Sequence, residues 1–268
     1  MISRFKNFTR NKKKKNQPIF IGGEGRSGTT LMRAMINNHP NIFCGPETHF
    51  FIDKNFIDYH DIMVNHYSNR ISEYNEDVRD EVNQMYRGMI NNFFTKHMNA
   101  NKKKRWADKT PYNIKVIDFF LDVFEGNIKF IHMIRDGRDV AASIITMPWG
   151  PKTVREAAHN WSSIIQNSRK HVGKDYYLEV RYEDLVKEET KVLKEVCEFL
   201  DEDFNEHMLD YYKDERLGGA DESSYKQITQ PLYNKSIGRW KKDLTSKEKR
   251  DFMKVAGETL KMLGYVDD

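Results

Sequence analysis

The segment Gly22–Thr30, GGEGRSGTT, gathers on one short stretch the groups needed to hold an anion. Gly23, Gly25 and Gly28 allow a tight turn with close approach to the backbone, Arg26 supplies a charged donor, and Ser27, Thr29 and Thr30 supply hydroxyls. Before it runs the apolar PIFIG (Pro18–Gly22), and after it Leu31, Met32, Met35 and Ile36 recur at helical spacing. A loop from strand to helix aims backbone N–H groups and the positive end of the helix dipole at a bound anion. On its own, a glycine-rich turn is weak evidence and more often plays a plain structural role. The ATP or GTP pattern GxxxxGK[ST] fails, because Gly28 is followed by Thr29 and Thr30 and no lysine stands there. No strand-end aspartate for a metal is evident either, so a nucleotide without a γ-phosphate fits better. The dinucleotide pattern also fails, since no acidic residue closes a second strand at the expected place.

Three further segments carry chemistry. IRDGRDVAAS follows the apolar run Ile128–Ile134 and sets Arg135 and Ser143 eight residues apart. CGPETHFF places Glu47 and His49 after a short strand at Ile42–Gly45, and DKTPYN presents Lys109. Each has a plainer reading: a strand-end arginine in a surface ion pair, a loop carboxylate capping a helix, a solvated lysine. Arg138 is expected at the surface or paired with Asp139. His39, His132 and His159 show no ligand spacing and are expected to be structural, and no metal site is expected.

Arg26-Ser27-Gly28-Thr29-Thr30 matches at every position the [KR]-S-G-T-T loop of the 3′-phosphoadenosine-5′-phosphosulfate (PAPS) dependent sulfotransferases. The longer string GGEGRSGTTLMRAMINNHP resembles their tyrosylprotein sulfotransferase branch, and the resemblance extends from Pro18 to Tyr265. It implies a donor, PAPS, leaving as adenosine 3′,5′-bisphosphate without a metal. Arg26, Ser27, Gly28, Thr29 and Thr30 would hold the 5′-phosphosulfate, with Arg26 on the leaving phosphate. Arg135 and Ser143 would hold the 3′-phosphate. Tyr182, in RYEDL, resembles a tyrosine that contacts adenine. QPLYNKSIGRW resembles the segment that closes over the 3′-phosphate, nominating Tyr233, Asn234 and Lys235; the cytosolic small-molecule branch instead has Arg-Lys-Gly before the same glycine and tryptophan. Glu47 aligns with the glutamate base of the tyrosylprotein and heparan sulfate branches, and Lys109 with a lysine that holds a sulfuryl oxygen. ETHFF is similar to the heparan branch, whereas the tyrosylprotein branch has arginine where His49 stands. With an ordinary pKa near neutrality, His49 is the alternative base.

These residues need a scaffold. Apolar runs at Pro18–Gly22, Ile128–Ile134 and Tyr176–Tyr182 read as buried strands, with helical stretches at Val154–His171 and Lys191–Leu200 and one starting at Thr245, where Glu248 completes a capping box. This predicts an α/β fold: a single P-loop-like domain whose central parallel sheet is flanked by helices. Residues 1–16 read as a basic flexible leader and 17–268 as the domain, with a polar, mostly helical insertion at 53–105 over the acceptor side. Gly218 and Gly219 read as hinges in the polar stretch Glu206–Gln230.

The chain has 268 residues, 38% hydrophobic and 31% charged, with net charge +4. No apolar run approaches the about 20 residues of a membrane span. The first residues lack the apolar stretch of a secretory signal, and the two cysteines, Cys44 and Cys197, suggest no disulfide framework, so a cytoplasmic location is expected. Lys12–Lys15 and Lys102–Arg105 are basic blocks that suit solvated flanks or an anionic surface. The expected partner is a hydroxyl-bearing acceptor: a phenol, steroid, lipid, glycan or peptide tyrosine. A homodimer is an open option, and no nucleic acid is expected. The alternatives are a P-loop kinase or NTPase, and a non-catalytic nucleotide-binding module.

Overall fold

The computed structural model describes residues 17–52, 54–67, 78–213 and 228–266. The leader at 1–16 and the glycines at 218 and 219 lie outside them. Among the described residues five strands, β1 (Ile19–Gly22), β2 (Ile42–Cys44), β3 (Arg105–Lys109), β4 (Lys129–Ile134) and β5 (Tyr177–Arg181), form one sheet in the order β2-β3-β1-β4-β5. All four pairings are parallel, with Ile19 opposite both Ala107 and Lys129. The helices are α1 (Thr29–Asn37), α2 (Lys54–Ile62), α3 (Arg79–Ala100), α4 (Ile117–Val123), α5 (Gly137–Ile144), α6 (Val154–Ser168), α7 (Tyr182–Lys187), α8 (Glu189–Phe199), α9 (Trp240–Asp243) and α10 (Ser246–Met262).

Side chains alternate along a strand, and β1 shows the consequence. Ile19 and Ile21 pack with α1 and α8 on one face, while Phe20 packs on the other with Phe51, Trp106 and Phe120. Both faces are therefore covered, as parallel sheets require. A third cluster joins α5, α6 and α10 through Val140, Trp161 and Phe252. At the start of α10, Thr245 and Glu248 form the expected capping box. A helical pair, α2 and α3, occupies most of 54–100, and His60, buried on α2, meets Asn83 of α3 at 2.6 Å.

One strand was not legible in the sequence. RWADK carries three charges in five residues, yet β3 is buried throughout between β2 and β1. Each charge has its own partner. Arg105 pairs with Glu202 at 3.1 Å, Asp108 accepts from Thr48 and Asn113 at 2.8 Å each, and Lys109 meets Glu47. The expected insertion to 105 thus ends on the first residue of this strand.

Candidate active site

The crevice opens at the carboxyl ends of β1 and β4, where the strand order reverses, the usual ligand position in an open parallel sheet. Behind β1 the chain turns through Gly23–Gly28 into α1. Gly23 needs its glycine: an added Cβ would lie 2.4 Å from the Met133 carbonyl oxygen. Gly28 caps α1 in the left-handed conformation, φ 94°, and an added Cβ would lie 2.5 Å from the Tyr182 ring. Arg26 and His49 are also left-handed, at φ 70° and 54°. Such non-glycine conformations cost about 1–3 kcal/mol each and gather where function requires them. Ser27 and Thr29 are buried beneath the loop.

The second arm comes from β4. Arg135 leaves its end and donates through Nη1 to the Arg26 carbonyl at 3.0 Å and through Nη2 to the Ser236 carbonyl. Its guanidinium lies 4.6 Å from the centre of the Tyr182 ring, and the Tyr182 hydroxyl is 2.7 Å from Ser236 Oγ. Ser143, on α5, accepts from Arg26 Nε at 3.0 Å. The two arms are therefore bonded to each other. Burial, then the like charges of Arg135 and Arg239, push the Arg26 guanidinium below its ordinary value. Three guanidiniums crowded this way favour an anion among them.

Across the cavity, Glu47 follows β2. Its Oε1 receives the Lys109 ammonium, which is fully buried and also donates to Thr30 Oγ1 at 3.3 Å. Its other oxygen, Oε2, lies 3.4 Å from His49 Nε2, whose side chain is 63% exposed. Glu47 is held by one buried cation and reached by one exposed ring. Beneath it, burial raises the Asp108 carboxyl despite hydrogen bonds from Asn113 and Thr48.

These groups surround one cavity of about 950 Å³. Arg26, Gly28, Thr29, Thr30, Glu47, His49, Arg135, Tyr182 and Tyr233 line it; Ser27, Ser143 and Lys109 stand behind that wall. Asn234 and Lys235 do not line it. Both are exposed on the turn that begins with Asn234, and the adjacent Ser236 is the residue turned inward to Arg135 and Tyr182. Sequence reasoning also missed Asp139, which accepts from the backbone of Gly238 at 2.7 Å and Trp240 at 2.9 Å and so ties the closing segment to α5. Arg138 is not paired with Asp139: it forms a fork with Asp136, its Nη2 at 2.8 Å, and stacks on Trp240. Glu24, Trp149, Tyr112, Lys115 and one face of α6 (Glu156, Asn160, Ile164) are also part of the wall. The four-residue spacing on α6 was a usable signal for that face.

The fold and site define an α/β protein with a glycine-rich strand-to-helix loop and a second arginine-bearing arm at the carboxyl edge of a parallel sheet. Residues 18–206 match the model of the sulfotransferase family, and the chain belongs to that family. It is 28% identical over 262 residues to the protein-tyrosine sulfotransferase of Drosophila melanogaster, covering 92% of this chain but only 51% of that protein. Protein-tyrosine sulfotransferase A of Caenorhabditis elegans is 29% identical over 264 residues, covering 92% of this chain and 67% of that one. The chain thus spans about half the length of its Drosophila relative. Among solved structures, the sulfotransferase domain of the Synechococcus PCC 7002 olefin synthase superposes with a TM-score of 0.62 at 24% identity, covering 91% of this chain and 95% of that domain. That from the curacin biosynthetic pathway gives 0.62 at 21%, covering 91% and 97%. At these identities the likeness concerns the fold.

Proposed function

We propose that the protein transfers a sulfuryl group from PAPS to a hydroxyl on an acceptor, with Glu47 as the base. What carries this reading is the meeting of two bonded anion arms with a lysine-held carboxylate on one cavity. The residues fit such a donor. Gly28 and the start of α1 suit the 5′-phosphosulfate, Arg135 and Ser143 the 3′-phosphate, and Tyr182 the adenine. The family membership and the name carried by the two relatives support the same chemistry.

Each residue then has one task. Glu47 takes the proton from the acceptor hydroxyl as the oxygen bonds to sulfur, Lys109 holds the Glu47 carboxylate from behind the wall, and Arg26 neutralises the charge left on the departing phosphate. Adenosine 3′,5′-bisphosphate leaves. The acceptor hydroxyl belongs to a phenol, steroid, lipid, glycan or peptide tyrosine.

Calorimetry tests the donor. A charge-assisted contact is worth roughly 1.5–3 kcal/mol, so adenosine 3′,5′-bisphosphate should bind at least about tenfold more tightly than AMP. Equal affinities overturn the assignment of Arg135 and Ser143. Incubation with PAPS and a mixed hydroxyl library should add the mass of one SO₃ to an acceptor, whereas turnover of ATP with magnesium would favour a kinase or NTPase.

A further inference from the structure

Beyond the donor arms, the charge on the cavity wall has an unexpected sign. Arg26 and Arg135 form the anion arms and Glu47 is matched by Lys109, which leaves two carboxylates, Glu24 and Glu156, against one ammonium, Lys115, with His49 at the rim. Glu24 stands inside the loop itself, between Gly23 and Gly25. A carboxylate at that place repels any anion the loop receives. Burial raises the Glu24 carboxyl, and the opposing pull of Lys115 is the smaller effect. Lys115 is itself exposed and lies over the Tyr112 ring.

The neighbouring surface is aromatic. Trp149 is 61% exposed, and its ring rests on the loop at Gly25, where an added Cβ would lie 3.4 Å from it. A carboxylate and an open indole on the same cavity wall are a combination that holds an organic ammonium, by charge and by attraction to the ring face. A positive charge on the acceptor would also offset the repulsion between Glu24 and a bound anion.

We propose that Glu24, with Trp149 on the same wall, is an acceptor-specificity residue selecting a hydroxyl compound that carries an ammonium group over one that carries a carboxylate. The inference rests on the sulfuryl-transfer reading only in taking the bound hydroxyl compound as the acceptor.

Two phenols of similar size probe it: tyramine, a cation, and 4-hydroxyphenylacetate, an anion. Their affinities for the whole chain are measured by ligand-observed NMR, with and without adenosine 3′,5′-bisphosphate. Tyramine should bind at least about fivefold more tightly to the wild type, Glu24→Gln should bring the two within about twofold, and Glu24→Lys should invert the order. A wild-type preference for the anion, or a preference that Glu24→Gln leaves intact, overturns the proposal. So does a collapse of turnover in Glu24→Gln with the binding preference unchanged, since that makes Glu24 a base. Should the bisphosphate not bind at all, the sulfuryl-transfer reading falls separately, and the ratio without nucleotide still decides the role of Glu24.

Discussion

Glu47 sits between two nitrogen partners of opposite exposure, and that asymmetry is the physical ground for the roles proposed for them. The buried Lys109 fixes one oxygen, while the other faces the cavity beside a histidine mostly in solvent. Glu47→Gln keeps the shape but cannot take a proton, so turnover should fall by about 10²–10⁴ while the calorimetric affinity for adenosine 3′,5′-bisphosphate stays nearly unchanged. Arg26→Ala should damage rate and affinity together, because its charge meets the phosphate before and during transfer. Wild-type turnover in Glu47→Gln with a collapse in His49→Ala would move the base to the histidine. At this scale the sequence was informative wherever a motif fixes residue and place together, as in Arg26–Thr30. It was not informative in QPLYNKSIGRW, where the inward residue is Ser236 and the polar pair before it faces water. Side-chain direction in a turn follows from backbone angles that composition does not specify.

Hydrophobic runs revealed four strands and hid the fifth, for a reason visible in β3. A buried strand normally reads as apolar because an unpaired charge is expensive to bury, but Arg105, Asp108 and Lys109 each draw at least one partner from a segment distant in the chain, namely Glu202, Thr48 and Glu47. No local pattern reports such partners. The helix α5 presents the opposite case, in which a local residue reports a distant contact. Gly137 opens α5 against α6, and an added Cβ would lie 2.5–2.7 Å from three ring atoms of Trp161, a side chain only 1% exposed. The indole has nowhere to go, and its Nε1 is committed to the Arg135 carbonyl at 3.2 Å. Gly137→Ala should therefore cost about 1–3 kcal/mol in urea unfolding and, by displacing the residue that carries the second anion arm, weaken bisphosphate binding as well. An unchanged unfolding midpoint would show that α5 and α6 separate more easily than their packing implies.

At the scale of the whole molecule, β1 and β4 lie side by side so that both anion arms leave neighbouring strands, and the stability of that pair sets how firmly the site is held. His132, opposite Gly22 in this register, is completely buried, with its Nδ1 2.6 Å from the Tyr177 hydroxyl, Glu179 at 3.8 Å and Arg169 beyond. Burial, reinforced by the Arg169 charge, lowers its pKa from 6.5 to about 3. A histidine depressed on folding contributes stability that is complete above its unfolded value of 6.5 and is lost as pH falls toward about 3, because the unfolded chain takes up the proton first. Asp108, Asp139 and Glu183, raised by burial, work in the other sense, so only a comparison with a variant isolates the histidine. His132→Gln retains a polar side chain without the titration. Between about pH 7.5 and about pH 4.5 the wild type should lose roughly 2–3 kcal/mol more unfolding free energy than the variant. Parallel pH profiles for the two proteins would mean that His132 accepts a proton within the fold and that the β1–β4 pair opens to admit it.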